Sequence, residues 1–416
     1  MTPTFGELFR VFGRIGLMSF GGPAAQISLM HRELVEDRLW LDEQAYLRAL
    51  SLCMLLPGPE AMQLATYAGW RLRGVPGGLI AGCLFVLPGA AIIAILVGLY
   101  AAFGNLPLVQ AAFLGVKATV IVIVLHALRN LSRKALTDPA SRVIATLAFL
   151  AIFALDLPFP LIIAVAAIWG FATTGQTVPA TVPASRTGSR PLRTAALWLS
   201  LWLAPLFALT LSGQKLLSDL GWFFARLAVV TFGGAYAVLA YMTQTVVDKY
   251  NWVTTDQMID ALGLAETTPG PLILVTQFVA MLTGQISGGA SLALAAGAVA
   301  LWATFVPCFL WIFLAAPYLE QIAARPRLSS ALRGITAAVV GVILNLSVWF
   351  ALNVLFGSVP AYSLGPVSIP LPSLASLDAV AAALTLLAGL LIFKLKSGLA
   401  TALAIMATVG ALTHFF

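Results

Sequence analysis

The sequence predicts an all-α polytopic membrane protein with about 13 hydrophobic segments, within a range of 10–13. Hydrophobic residues make up 60% of the 416 positions, charged residues only 9%, and the mean hydropathy is +0.97. A soluble domain carries about 25% charged residues, so this chain has too few polar groups to cover a water-exposed surface. The composition therefore excludes a soluble enzyme, a nucleic-acid-binding protein and a disordered chain.

Apolar runs of the length that crosses a bilayer follow one another along the chain. One long polar linker, rich in Pro, Thr and Ser, separates the first six runs from the last seven. We therefore predict an N-terminal repeat over 1–175, a cytoplasmic linker over 176–194 and a C-terminal repeat over 195–416, which matches the first from about 217 onward. The runs are 9–30, 45–70, 76–103, 107–128, 143–156, 158–175, 195–212, 221–246, 258–283, 289–316, 334–356, 377–393 and 397–416.

The positions of the cationic residues predict the orientation. If the N-terminus is cytoplasmic and all thirteen runs cross, 16 of the 23 Lys and Arg residues face the cytoplasm and 3 face outward. Cytoplasmic loops of membrane proteins carry this excess of positive charge. We therefore expect a multi-pass protein with a cytoplasmic N-terminus and an external C-terminus.

A sequence motif near the N-terminus recurs 212 positions further along the chain. Seven predicted crossings separate the two copies, and because seven is odd, the second copy enters the membrane from the opposite face. This predicts an inverted repeat, an architecture typical of secondary transporters. If only the Pro-Gly-Pro segments were re-entrant, the copies would be parallel. If the Gly-Gly segments were re-entrant as well, the inversion would survive with fewer crossings. The matched residues are Phe12, Arg14, Ser19, Gly21, Gly22, Pro57, Gly58 and Pro59 with Phe224, Arg226, Thr231, Gly233, Gly234, Pro269, Gly270 and Pro271.

The repeated motifs place Gly-Gly and Pro-Gly-Pro in the middle of apolar runs. Both interrupt the helical hydrogen-bond ladder, and such breaks are tolerated in a membrane only against protein or a wet cavity. Each break starts a half-helix whose first amides lack partners and carry the positive end of the helix dipole. Four such ends near one level would bind a small oxyanion, with Ser19 and Thr231 beside them as further substrate-binding candidates. The alternative is that the glycines only permit close packing and the prolines only bend helices.

Four charged residues within the runs are further candidates. Arg14 and Arg226 lie seven residues before the Gly-Gly breaks, roughly 10 Å along a helix, and could bind the anion or extend to the headgroups. Glu60 and Glu266 each occur in one copy only and are candidates for proton coupling. For Glu60 the alternative is simple stabilisation of a helix N-terminus. Lys117 could be a counter-charge, and its position is equally compatible with snorkelling to the headgroups or with helix packing.

No cofactor, metal site or catalytic group is predicted. Cys53, Cys83 and Cys308 each stand alone in apolar sequence, so neither zinc binding nor a disulfide framework is indicated. The sequence also lacks a nucleotide-binding motif, paired catalytic carboxylates and a nucleophile with a base. We therefore predict that the protein is not an enzyme and does not use ATP directly.

The motifs together resemble those of the chromate transporter family in its long, two-domain, ChrA-type form. The resemblance covers nearly the whole chain and rests on FGRIGLMSFGGP, LLPGPEAMQLATYAGWRLRG, FARLAVVTFGGAYAV and AETTPGPLILVTQFVA. It implies a bacterial inner-membrane protein that exports chromate, a tetrahedral dianion, and confers chromate resistance by using the membrane potential or the proton gradient. The implied partners are chromate, protons and the lipid bilayer.

Other functions stay open at this point. Backbone amides do not readily distinguish chromate from sulfate, so a transporter or channel for sulfate or another oxyanion is the main alternative. An intramembrane enzyme is a distant one. The sequence leaves open whether the chain forms an oligomer, and whether the motif segments cross fully or re-enter.

Overall fold

A computed structural model describes residues 3–173, 191–232, 235–319, 325–365 and 367–415. The described residues form fifteen α-helices and one short β-hairpin, which agrees with the predicted all-α class. The helices are α1 (Phe5–Met18), α2 (Gly22–His31), α3 (Glu43–Leu55), α4 (Glu60–Phe103), α5 (Pro107–Ala135), α6 (Pro139–Phe153), α7 (Phe159–Ala172), α8 (Pro191–Leu211), α9 (Lys215–Val230), α10 (Ala235–Gln244), α11 (Thr255–Thr267), α12 (Val275–Ala315), α13 (Pro326–Leu355), α14 (Ala379–Gly389) and α15 (Leu399–Leu412).

Shorter elements connect the helices. Strands β1 (Ala361–Leu364) and β2 (Val367–Pro370) pair antiparallel between α13 and α14. Single π-helical turns extend α2, α10 and α14 at Arg32–Glu36, Thr245–Lys249 and Leu390–Lys394. The 3₁₀ turns are Leu272–Leu274, Ala316–Tyr318, Leu374–Ser376 and Thr413–Phe415.

Five of the described helical elements are long and apolar enough to cross a membrane. Four shorter apolar helices accompany them. The chain is thus a polytopic membrane protein, while the number of crossings stays a prediction. Of the predicted linker, residues 176–190 lie outside the described residues, and its last four residues begin α8. The five elements are Glu60–Phe103, Pro107–Ala135, Pro191–Leu211, Leu272–Tyr318 and Pro326–Leu355.

The two longest elements are each a pair of helical arms joined by a glycine turn. Gly74 interrupts α4 with a φ of +63°, and Gly289 interrupts α12 with a φ of +79°. Residues with side chains rarely adopt this left-handed backbone, so glycine supplies both turns. A Cβ on Gly69 would overlap the carbonyl of Gly77, so the two arms of α4 pack directly against each other. The prediction of separate runs on either side of residues 71–75 and 284–288 agrees with these turns.

The described chain divides into two compact units. The first contains 1–98, 175–235 and 268–329, and the second contains 99–174, 236–267 and 330–416. In the first unit α12 packs against α8 and α9. In the second unit α5 packs against α15, α14 and α11. Each unit includes sequence from both predicted repeats, and the division of the chain at 175 and 195 stays a prediction.

Small residues permit the close packing in the second unit. A Cβ on Gly115 of α5 would overlap the carbonyl of Met406 in α15, and one on Gly410 would meet Gly115. In the same unit a Cβ on Gly334 would overlap the carbonyl of Ala166. Helices in membranes associate through such contacts because lipid provides no hydrophobic force to drive them together.

The local backbone repeats at the same spacing as the sequence. Leu39 and Asn251, which lie 212 positions apart, both have a φ of +50°. The amide of Trp40 donates to the carbonyl of Leu34 at 2.8 Å, and the amide of Trp252 donates to that of Val246 at 2.9 Å. The two copies therefore share a local conformation as well as residues. Their inverted relation across the membrane stays a prediction.

A histidine joins the end of α2 to the start of α3. His31 contacts Glu43 through Nε2 at 2.7 Å and Glu36 through Nδ1 at 3.0 Å. The hydrogen bond with Glu43 raises the pKa of His31 above its ordinary value of 6.5, against a smaller opposing effect of desolvation. A raised folded pKa stabilises the folded state below the unfolded pKa, and this stabilisation is lost as the pH rises through the folded pKa.

We therefore predict that His31→Gln reduces the pH dependence of thermal stability. The wild-type Tm should fall more than that of the variant between about pH 6 and about pH 9, because only the wild type loses a charged partner of two glutamates in this window. Differential scanning fluorimetry in detergent measures both curves. Parallel curves for the two proteins would contradict the assignment.

Candidate functional site

Each predicted helix break is a gap between two helices of the structure. The four breaks all lie at residues of the first compact unit. In each case a helix ends, and a new helix begins after a gap of three or four residues. The breaks run from α1 to α2, from α3 to α4, from α9 to α10 and from α11 to the 3₁₀ turn before α12.

The first break is made by a serine and two glycines. The Ser19 hydroxyl donates to the carbonyl of Ile15 at 2.5 Å, and Ser19 itself is 1% exposed. Gly21 and Gly22 follow with φ of +86° and +79°, which side chains rarely permit. Helix α2 then begins at Gly22 with Pro23 in its first turn, where the missing proline N–H costs no hydrogen bond.

The third break repeats the start of the first. The Thr231 hydroxyl donates to the carbonyl of Leu227 at 2.7 Å, and Thr231 is 3% exposed. The predicted residues Gly233 and Gly234 lie outside the described residues. Helix α10 begins directly after them, at Ala235.

The second and fourth breaks are the Pro-Gly-Pro motifs. Gly58 has a φ of +117° and Gly270 a φ of +91°. Each glycine stands between two prolines that cannot donate a backbone hydrogen bond. Helix α4 begins immediately after Pro59, and the 3₁₀ turn Leu272–Leu274 begins immediately after Pro271. A new helix thus begins at the last residue of the first motif and directly after each of the other three.

Two backbone hydrogen bonds join the breaks in reciprocal pairs. The amide of Gly58 donates to the carbonyl of Thr231 at 2.8 Å, and the amide of Gly270 donates to the carbonyl of Ser19 at 2.9 Å. Under the 212-residue spacing, Gly58 corresponds to Gly270 and Ser19 to Thr231. When residue i of one copy contacts j of the other and j contacts i, the contact has local two-fold symmetry.

Two buried glutamines satisfy further break carbonyls. Gln26 Nε2 donates to the carbonyls of Gly270 at 2.7 Å and Ser19 at 3.1 Å, and Gln63 Nε2 donates to that of Pro57 at 2.6 Å. Unpaired backbone carbonyls are costly in a low-dielectric interior, so these amides stabilise the irregular backbone. The two glutamines are not related by the repeat, and they make the two copies chemically different.

The first turns of all four new helices line one small cavity. Its volume is about 20 Å³, which is enough for a single water molecule. Gln26 and Glu60 are the lining residues with polar side chains. The full lining is Pro23 and Gln26 from α2, Pro59, Glu60 and Ala61 at the start of α4, Ala235 of α10, and Pro271, Leu272 and Ile273 before α12.

The second carboxylate candidate has a different setting. Glu266 is 6% exposed, and its Oε1 accepts a hydrogen bond from the Tyr236 hydroxyl at 2.6 Å. Both residues belong to the second compact unit, whereas the cavity is lined by residues of the first. Glu266 is thus a buried carboxylate with a phenol as its hydrogen-bond donor.

The two arginine candidates lie outside the cavity lining. The Arg14 side chain is 58% exposed, and its Nη1 lies 3.6 Å from Oε1 of the buried Glu33. Arg38 binds the other carboxylate oxygen of Glu33. Arg226 is exposed on α9, where its Nε donates to the carbonyl of Trp222 at 3.2 Å.

Sequence reasoning missed several partners of the site. Gln63 follows Pro57 by six residues in an apolar helix, and nothing in that spacing indicates that its amide closes the break. Tyr236 lies next to the repeated Gly-Gly motif, but its contact with Glu266 spans 30 residues. A polar residue deep in an apolar run was the available signal in both cases.

Groups that could hold a metal ion are absent from the part of the chain that the structure describes. No three His, Cys, Asp or Glu side chains there lie close enough to one another. Cys53 and Cys308 are buried and Cys83 is exposed, and all three are free thiols.

Comparison with known proteins relates the chain to a family. The sequence model of the family described as chromate transporter matches residues 6–171 and 218–412. A chromate transport protein of Cupriavidus metallidurans is 32% identical over 352 residues, which cover 82% of this chain and 81% of the relative. One from Pseudomonas aeruginosa is 32% identical over 351 residues, covering 82% and 79%. A probable chromate transport protein of Synechococcus elongatus is 30% identical over 338 residues, covering 81% and 82%.

The relatives bear names of transport proteins and not of enzymes. No solved structure matches the chain. Because the family model covers both halves of the sequence and the relatives align across most of its length, the chain belongs to the chromate transporter family.

Proposed function

We propose that this protein is a secondary active transporter that exports chromate across the bacterial inner membrane and thereby confers chromate resistance. The membrane potential or the proton gradient drives the export. Membership of the chromate transporter family supports the substrate. The observation that carries the mechanism is the meeting of four helix N-termini at one cavity.

The charge of the four helix ends fits a dianion. Each helix N-terminus carries roughly half a positive charge, so four ends provide on the order of two. Their unpaired amides also present hydrogen-bond donors from several directions, as a tetrahedral anion with four oxygens requires. The field comes from fixed backbone dipoles, which need no reorganisation when the anion arrives.

Binding requires the half-helices to separate. A cavity of about 20 Å³ holds one water, whereas chromate has five heavy atoms. We propose that the reciprocal hydrogen bonds Gly58–Thr231 and Gly270–Ser19 hold the breaks together in this closed state. We propose that opening one pair exposes the site to one face of the membrane and opening the other pair exposes it to the opposite face, as in an inverted repeat.

Glu60 is proposed to link anion binding to protons. Its carboxylate is on the first residue of α4, at a helix N-terminus that also lines the cavity. An ionised carboxylate there is attracted by the same dipole as the substrate and repels an incoming dianion. Protonation of Glu60 would remove this competition. Glu266, which is bound to Tyr236, is proposed as a second proton-accepting group.

Arg14 and Arg226 are proposed as substrate-binding cations of the two approach paths. They occupy matched positions seven residues before the Gly-Gly motifs, and both are exposed. A guanidinium keeps its charge at any depth and offers a planar fork of donors to an oxyanion. The proposed cytoplasmic N-terminus and external C-terminus then assign one arginine to each face.

Sulfate is the second candidate substrate. Apart from Gln26 and Glu60, the residues that line the cavity are apolar and begin the four helices. Backbone amides at helix N-termini recognise the charge and shape of a tetrahedral oxyanion without identifying its central atom. Uptake of labelled chromate into inverted vesicles, with pH gradient and membrane potential imposed separately, tests the function. Chromate uptake that follows either force supports the proposal. Uptake of sulfate in place of chromate would favour the alternative.

We predict that Gly58→Val and Gly270→Val each reduce chromate flux at least about tenfold while the protein still reaches the membrane. A side chain at either φ is strained by roughly 1–2 kcal/mol. A Cβ on Gly58 would also lie 2.9 Å from Gln63 Nε2 and 3.0 Å from Cys308 Sγ. Gly98→Ala is the matched control, because Gly98 is helical with nothing within 4 Å. Normal flux in both valine variants would make these glycines packing residues only.

We predict that Glu60→Gln lowers the KM for chromate several-fold at neutral pH and removes most of the pH dependence of KM. The amide keeps the size of the side chain but cannot compete as an anion. Initial rates in vesicles at a series of pH values measure both effects. Asp37→Asn, which neutralises an exposed carboxylate between α2 and α3, should leave them unchanged. An unaltered pH profile of KM in Glu60→Gln would exclude this role.

We predict that Arg14→Ala and Arg226→Ala each lose most transport, that Lys replacements are partly active, and that the two alanine variants differ when affinity is measured from each membrane face. Right-side-out and inverted vesicles provide the two measurements. Arg10→Ala is the control, since Arg10 is exposed on the same helix as Arg14. Near-normal, equal flux of both alanine variants in both vesicle orientations would contradict a substrate-binding role. Contacts such as Arg14–Glu33 would then be purely structural.

A further inference from the structure

A second charged cluster lies in the second compact unit, away from the repeated motifs. Lys117 of α5 places its Nζ 2.5 Å from Asp256 Oδ1 and 3.7 Å from Asp260 Oδ1, and both aspartates are on α11. The Tyr100 hydroxyl donates to the other oxygen of Asp260, Oδ2, at 2.8 Å. Three helices, α4, α5 and α11, thus contribute to one site.

The cluster runs from the surface to the interior. The side chain of Asp256 is 74% exposed, that of Lys117 16% and that of Asp260 only 6%. Lys117 is ten residues from the start of α5, about 15 Å along a helix that is long and apolar enough to span the membrane. Ionisable groups at such depth are expensive and are usually retained for function.

The charges of the cluster do not balance. With all three groups ionised, one lysine and two aspartates sum to a net charge of −1. Within the described residues Asp260 Oδ1 accepts no hydrogen bond, although it is buried. A single proton on this oxygen would bring the cluster to neutrality. Lys117 would keep Asp256 as its partner, so that no buried charge would be left uncompensated.

The groups that face Asp260 are few. Helix α5 contributes Lys117, α4 contributes Tyr100, and α11 itself contributes Asp256 one turn earlier and Glu266 further along. Helix α15, which also packs against α11, contains no titratable residue. Lys117 and Tyr100 are therefore the described residues that contact the Asp260 carboxylate directly.

We infer that Asp260 is a proton-binding site through which transport is coupled to the proton gradient, with Lys117 and Tyr100 as its positioning residues. In the binding step a proton from the adjoining water forms an O–H bond at Asp260 Oδ1, and on the other side of the cycle that bond breaks and the proton returns to water. This inference rests on the proposed transport function and adds a coupling site to it.

The chain offers a route from this site to the anion site. Helix α11 ends at Thr267, two residues before the Pro269-Gly270-Pro271 break. Protonation of Asp260 weakens its attraction to Lys117, and this attraction is one of the forces that hold α11 against α5. Gly263 of α11 packs closely against α5, because a Cβ on Gly263 would overlap the side chain of Val116. A change in how α11 packs on α5 is therefore passed along the backbone to the fourth break.

The test separates transport from coupling in proteoliposomes. Counterflow of labelled chromate at equal pH on both sides reports transport alone, whereas chromate accumulation under a pH gradient reports coupling. We expect Asp260→Asn to keep at least half of the wild-type counterflow and to lose at least about tenfold in accumulation. Asp219→Asn is the matched control, because Asp219 forms a surface pair with Lys215 at 2.8 Å. It should behave as wild type in both assays.

A double variant that removes both charges tests whether a loss of activity in Asp260→Asn is due to misfolding. Lys117→Gln combined with Asp260→Asn removes both charges at similar volume and should show counterflow without accumulation. Wild-type accumulation in Asp260→Asn or in the double variant would overturn the inference, and so would loss of counterflow in both. The inference would also be overturned if the wild-type protein showed counterflow but no chromate accumulation under a pH gradient. Absence of counterflow in the wild type would instead refute the proposed transport function.

Discussion

The structure depends on how an apolar chain satisfies backbone groups where its helices stop. A break in the middle of an apolar run exposes amides and carbonyls that lipid cannot solvate. Here the breaks satisfy one another, since Gly58 donates to Thr231 and Gly270 donates to Ser19. This pairing leaves the first turns of four helices directed at a common cavity. The need to pair backbone groups away from lipid therefore also brings together the helix N-termini that we propose as the anion site.

The scarcity of charge gives the remaining charges distinct tasks. Only 9% of the residues are charged, and several of those in helices are paired. Glu33 is held by Arg14 and Arg38 near the end of α2, whereas Asp260 is shared between Lys117 and Tyr100. In the proposed mechanism, helix dipoles bind the anion. The proposal thus separates substrate recognition by the backbone from proton binding by side chains, and it permits a coupling site apart from the cavity.

Part of this could be predicted from the sequence. Proline and glycine act on their own backbone, so the positions of the four breaks and the helix starts after them follow from local rules. Contacts between distant residues do not. Gln26 contacts Gly270 across 244 positions and Lys117 contacts Asp256 across 139, and no periodicity encodes either pair. Arg14 and Arg226 match in the sequence. Within the described residues, however, only Arg14 of the two has an acidic partner, because the second copy has Thr245 where the first has Glu33.

The most direct measurement is the position of the bound anion. Crystals of the protein grown with chromate would give an anomalous difference map that locates chromium without reference to the protein coordinates. The account predicts one strong peak within hydrogen-bonding distance of the amides that begin α2, α4, α10 and Leu272–Leu274, with the half-helices moved apart to admit it. A peak against Arg14 or Arg226 and none among these helix ends, in a protein that transports chromate, would contradict the account.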